Sequence, residues 1–157
     1  MTETNATETT DREIVATRLL DAPCELVWEA WTNPKHLAQW WGPNGFTNTI
    51  HKIEVKPGGV WRFIMHGPDG TDYRNEIVYV EVVKPERLVY DHVSGPKFHV
   101  TVTFTEEGDK TRLNMQMVFE SAAERDNTIR KFGAVEGLNQ TLGKLHDHLA
   151  KIDGDKS

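Results

Sequence analysis

Seven histidines and one cysteine are the side chains of this sequence best suited to holding a metal or attacking a carbon. Their spacing supports neither task. His146 and His148 stand two apart in a helical pattern, so they point away from each other. His51, His66, His92 and His99 fall on separate strand-like segments, without the close ligand spacing of a zinc set. His99 belongs to a threonine-lined outward face, while His66 and Asp91 stay open as either inward or surface polar groups. Cys24 sits at a helix start with no base spaced to activate it. There is no glycine-rich phosphate loop, no Ser–His–Asp signature and no pair of spaced carboxylates. The expectation is therefore no catalytic residue, no metal and no cofactor.

A different chemistry is better represented, the burial of an apolar molecule. Trp61, Phe63 and Met65 share one face of a strand. Phe98 and Val102 share a face of another, and Met115 and Met117 of a third, where flexible thioethers suit an adaptable wall. Trp40, Trp41 and Phe46 lie beside a Gly-Pro break. Gly137 stands next to Leu138 on a helical apolar stripe, and a glycine there lets a sheet or a ligand approach the helix backbone. These twelve residues are the candidate binding set.

The elements that would position them follow from periodicity. Residues 1–12 are rich in threonine and acid with little to bury, and read as a disordered tail. Glu13 to Leu20 alternates as a strand with both faces partly apolar. Two short helices follow, with Asn33 capping the second and Pro34 in its first turn. Four of the five tryptophans (Trp28, Trp31, Trp40 and Trp41) sit on them. Strands are expected over Phe46 to Val55, Val60 to His66, Tyr73 to Val83 and Arg87 to Val93. The run Ile77 to Val80 suggests burial on both faces. A final hairpin turns at Glu107-Gly108-Asp109. Ser121 to Glu124 is a capping-box pattern, and beyond it apolar positions from Ile129 to Ile152 mark one long amphipathic helix of about 25 residues. The fold class expected is α+β: about seven antiparallel strands curved around a long C-terminal helix, with the two short helices plugging one end. It forms one domain over residues 13–152, with a short tail at 153–157.

Totals narrow the function classes. The chain has 157 residues, 38% hydrophobic and 27% charged, enough for one real core. No apolar run approaches a membrane span. Net charge is −6, and residues 1–13 carry half of it. No basic face clusters, which argues against nucleic acid. A single cysteine and the lack of a signal sequence fit the cytoplasm.

Arg18, Ala22-Pro23, Val27-Trp28, Ala30-Trp31-Thr32, Pro34, Leu37 and Trp40-Trp41-Gly42-Pro43 resemble the activator of heat-shock-protein-90 ATPase homologue-like family. That family lies within the START-like (SRPBCC, helix-grip) superfamily. The resemblance continues through Pro57-Gly58-Gly59 with Trp61, Pro85-Glu86-Arg87-Leu88, Glu136-Gly137 and the leucines of the last helix. It implies a cavity between curved sheet and terminal helix, where relatives hold lipids, hormones, polyketides or aromatic compounds. Two departures stand out. The eukaryotic co-chaperone carries a separate chaperone-engaging domain where this chain has residues 1–12. The family often has an aromatic after the helix glycine, where Leu138 here would enlarge or reshape the pocket. The expected function is binding of a hydrophobic or aromatic small molecule. A chaperone-linked or stress regulator, and a cyclase- or dehydratase-like enzyme in the same cavity, are the alternatives.

Overall fold

The computed structural model describes residues 10–94 and 97–156. The strands are β1 (Glu13–Leu20), β2 (Thr47–Ile53), β3 (Val60–His66), β4 (Asp72–Val83), β5 (Arg87–His92), β6 (Phe98–Glu107) and β7 (Lys110–Phe119). The helices are α1 (Cys24–Thr32), α2 (Pro34–Trp40), α3 (Ala122–Phe132) and α4 (Ala134–Lys156). The strands form one antiparallel sheet in the order β1-β7-β6-β5-β4-β3-β2. Consecutive strands from β2 onward pair as hairpins, the arrangement that short Gly- and Pro-containing connections allow. β1 is followed by two helices instead of a turn and pairs with β7 at the far edge. The sheet curves around α4, while α1 and α2 pack against both β6 and α4 or β2 and α4.

Local chemistry explains the helix boundaries. The Asn33 side chain accepts from the Lys35 amide at 2.9 Å, and Pro34 occupies the first turn, where its missing N–H costs nothing. Ser121 Oγ accepts from the Glu124 amide at 3.1 Å and starts α3. The long helix anticipated from the stripe is divided. Gly133 adopts a left-handed conformation (φ +60°), caps α3 and lets α4 restart at Ala134. The restart turns Val135 outward, 44% exposed, while Leu142, Leu145 and Leu149 stay buried.

Three other expectations change. Residues 1–9 of the anticipated tail lie outside the described residues, but Thr10–Arg12 form a 3-10 turn anchored by Arg12 donating to the Phe119 carbonyl at 2.8 Å. At the other end α4 continues to Lys156, past the boundary drawn at 152. β4 is not buried on both faces: Ile77 and Tyr79 point inward and Val80 is 48% exposed. Its apolar run is an alternating strand with valines on the wet face, which sequence hydrophobicity alone does not separate from a two-sided one.

The core is densest where the plug meets the sheet. Trp31, Trp40 and Trp61 are each at most 1% exposed. Trp31 meets Trp40 edge-on at 4.9 Å, and Trp61 stacks on Phe63 at 4.5 Å. A buried indole removes about 150–250 Å² from water, or roughly 4–6 kcal/mol by transfer bookkeeping, which is an upper bound. Helices of 9 and 7 residues are too short to persist alone. Their indoles hold them in place.

Candidate functional site

Between the concave face of the sheet and α4 lies an open cavity of about 820 Å³. Strand register assembles one wall. Trp61 stands opposite Ile77, Ile77 opposite His92, and His92 opposite Phe98, so one inward row crosses β3 to β6, and Phe63 opposite Asn75 starts the next. Tyr90 faces Val100, which faces Met117, and Met115 lies on the same inward side of β7. The opposite wall is α4, through Gly137, Leu138, Thr141 and Leu142. Trp31, Trp41 and the loop at 42–46 close one end. Exposed charged side chains, Asp72, Arg74, Lys131 and Glu136, belong to the outer lining. Apolar walls with a few placed polar groups are the usual make-up of a small-molecule site.

The polar groups of the interior centre on His92, which is 7% exposed. Its ring lies parallel to Phe98, centroids 4.6 Å apart and planes 4° apart. Nδ1 is 3.0 Å from the Ser94 carbonyl oxygen and Nε2 is 2.8 Å from Asn75 Oδ1. Asn75 is itself held by donating from Nδ2 to the Tyr73 carbonyl at 3.0 Å. Thr128 and Thr141 donate back to the helix carbonyls of Glu124 and Gly137, each at 2.8 Å, which leaves their oxygens as acceptors. Burial pushes the Tyr90 phenol far above its ordinary range, and Tyr79, its cross-strand neighbour, likewise. Both stay protonated.

The loop at the closed end is fastened to α4. Lys144 donates from Nζ to the carbonyls of Gly42 (3.1 Å), Pro43 (3.3 Å) and Phe46 (3.4 Å). Its burial lowers its pKa from the lysine value. The Asn44 amide donates to Gln140 Oε1 at 3.1 Å. Gly137 faces Pro43 so closely that a Cβ there would stand 3.2 Å from the proline Cγ. On α2, His36 Nδ1 lies 3.0 Å from His148 Nε2 of α4.

Of the twelve candidate residues, nine line the cavity: Trp41, Phe46, Phe63, Met65, Phe98, Met115, Met117, Gly137 and Leu138. The other three lie in packed core beside it. Trp40 is 1% exposed and donates from Nε1 to the Ala30 carbonyl at 3.0 Å. Trp61 and Val102 have no exposed surface. All three belong to the packed core, where Trp40 meets Trp31 and Trp41, and Trp41 covers Trp61 at a centroid distance of 4.9 Å.

Asn75, Tyr90, His92 and Thr141 also line the cavity although none stands among the twelve candidates; sequence spacing weighs His92 only as a metal ligand. A signal for two of them was present: Leu88, Tyr90 and His92 alternate with Val89 and Asp91, and the leucine marks the inward set. Asp91 instead faces out and pairs with His99 at 2.6 Å, and His66 is on the outer face with Asp72 at 2.7 Å. His148 does point away from His146, toward a partner on another helix that spacing along α4 did not reveal. Cys24 Sγ accepts from the Thr111 hydroxyl at 3.4 Å. Among the described residues, no three His, Cys, Asp or Glu side chains gather as a metal set, and no helix is long and apolar enough to cross a membrane.

Comparison with known proteins agrees with this architecture. A crystal structure of a Nitrosomonas europaea protein superposes with TM-score 0.83 at 22% identity, covering 92% of this chain and 97% of that one. The solution structure of an Arthrobacter aurescens protein gives TM-score 0.84 at 25% identity, covering 91% and 88%. A Chromobacterium violaceum crystal structure gives 0.77 at 24%, covering 86% and 95%. No curated protein matches the chain. Residues 21–150 match the family described as activator of Hsp90 ATPase homolog 1-like protein. The chain belongs to that family and has its START-like, helix-grip fold.

Proposed function

We propose that this family member binds a hydrophobic or aromatic small molecule between the sheet and α4. The observation that carries the reading is the 820 Å³ cavity walled by Phe63, Met65, Phe98, Met117 and Leu138. Affinity comes from apolar burial, at about 25 cal/mol per Å² before the costs of association. His92, Asn75, Thr128 and Thr141 orient polar atoms of the ligand. The test is a thermal-shift screen of lipids, flavonoids and polyketide-like compounds. A ligand at about 100 times its Kd adds about 2.7 kcal/mol, a shift of several degrees at this chain length. A broad library that leaves the melting temperature unmoved counts against the reading.

A second reading is favoured by one observation. His92 is an inward imidazole held by Asn75, which is the arrangement of a positioned acid–base group in a cavity. A cyclase- or dehydratase-like reaction would use it to move a proton at the bound molecule once a ring nitrogen exchanges its Ser94 or Asn75 partner for that molecule. Substituting His92→Gln then abolishes turnover while ligand binding survives. Equal turnover in wild type and variant removes this reading. Regulation of a heat-shock-protein-90 ATPase rests on the family description alone. We expect the purified chain to leave the ATPase rate of a bacterial homologue unchanged, and stimulation would reverse the ranking. A cytoplasmic location, from the single cysteine, belongs to the same proposal.

A further inference from the structure

We infer that α2 and the loop at 41–46 form a proton-sensitive gate to the cavity, latched onto α4 by the contact between His36 and His148. The consequence for a ligand rests on the binding function proposed above, whereas the latch itself stands on the geometry of the two helices. The gate segment supplies Trp41, Gly42, Pro43, Asn44 and Phe46 to the cavity lining, so moving it opens the closed end. Three polar ties join it to α4: the imidazole pair, the Lys144 fork and the Gln140 contact. Among these, the imidazole pair is the tie whose charge changes in mild acid.

The contact is an N···N distance of 3.0 Å with ring centroids 5.2 Å apart and edge-on at 64°. Such a contact needs an N–H on one ring and a lone pair on the other, so at least one ring is neutral. Protonating both sets two N–H groups and two positive charges against each other at hydrogen-bond distance. Burial, then the charges of His36 and Lys151, hold His148 below the ordinary histidine range. The sign follows. A base whose pKa is lowered in the closed state supports that state above the ordinary histidine range. The support is lost as pH falls through the lowered value.

Among the described residues, no ion pair joins an acidic side chain to either ring, and the other charged groups nearby are engaged elsewhere or exposed. On α1, Glu29 accepts from the Asn33 amide at 2.7 Å, and Glu25 is exposed in the first turn. On α4, Asp147 lies 3.5 Å from His146, and Lys144 is engaged by the loop carbonyls. On α2, Lys35 is exposed. On β2, His51 is exposed and Lys52 pairs with Glu54 at 3.7 Å. On β1, Arg18 reaches the Asn139 carbonyl at 3.3 Å.

Hydrogen exchange on the full chain tests the gate. Rates are corrected for the intrinsic pH dependence of amide exchange. Between pH 7.5 and 5.5, protection of amides in 34–46 then falls by up to about tenfold per pH unit, the limit for one linked proton. Amides of β6 and β7 keep theirs. His148→Gln and, separately, His36→Gln place a neutral amide at the contact, and the pH dependence of 34–46 disappears while the rest of the sheet stays protected. An unchanged 34–46 segment, a loss spread evenly over the sheet, or full pH dependence in both variants overturns the latch. Uptake of 1-anilinonaphthalene-8-sulfonate, measured alongside, keeps the two claims apart. Gate opening with no dye uptake at either pH supports the latch and counts against the cavity as a binding site.

Discussion

The two halves of the interior are lined by the same kind of side chain and end differently. Toward the plug, Trp28, Trp31, Trp40, Trp61 and Phe104 fill the space between sheet and helices. Toward α3 and the start of α4, Phe98, Met65, Met117 and Leu138 leave it open. Hydrophobicity does not distinguish the halves. What differs is the supply of volume from the facing helices. α1 and α2 present indoles, whereas the first turns of α4 present Gly137 and Leu138. Packed space stabilises the fold, and unfilled space bounded by adaptable walls is what a ligand can use.

Substitutions should separate the halves. Trp61→Ala, cut from a side chain with no exposed surface, is expected to cost about 3–5 kcal/mol in chemical denaturation. Met117→Ala, which already borders open volume, should cost less than half as much. Equal losses would mean that the cavity closes up in solution. Lys144→Met removes the donors to Gly42, Pro43 and Phe46 and should cost about 1–3 kcal/mol, with exchange rising first in the 42–46 loop. Leu138→Trp should occupy the open half. Stability is then expected to change by less than about 1 kcal/mol, while uptake of an apolar dye drops about tenfold. Undiminished uptake would place the dye elsewhere.

The smallest effect belongs outside both halves. Arg112 holds the Glu107 carboxyl below its ordinary range, through a hydrogen bond first and charge second. A lowered acid supports the fold above that range and stops doing so as pH falls through its value. Both partners are exposed, so solvent screens the pair. Glu107→Gln should leave the melting temperature unmoved at neutral pH, and a measurable drop would show that ion pairs on the outer face add to the stability of the fold.

Much of the fold was legible because it rests on short-range rules. Period-2 alternation located the β6–β7 hairpin, and Asn33-Pro34 and Ser121 to Glu124 marked helix starts. The division at Gly133 was harder to read. A glycine inside an apolar stripe carries the same sequence signal whether it continues the helix or caps it. The site was legible as a face rather than as a lining. Alternation puts Trp61, Phe63 and Met65 on one side of β3, but it cannot say that Trp41 packs over Trp61 while Met65 is left at the cavity.

Local patterning thus determined the elements and their inward faces, because helix and strand periods act over a few residues. Tertiary structure alone decided which inward residues meet open space, and which polar groups meet at all. His92 with Asn75, Lys144 with the loop carbonyls, and His36 with His148 are 17, about 100 and 112 positions apart in sequence. Contacts at such separations depend on register and on the packing of α4, and no local rule encodes either.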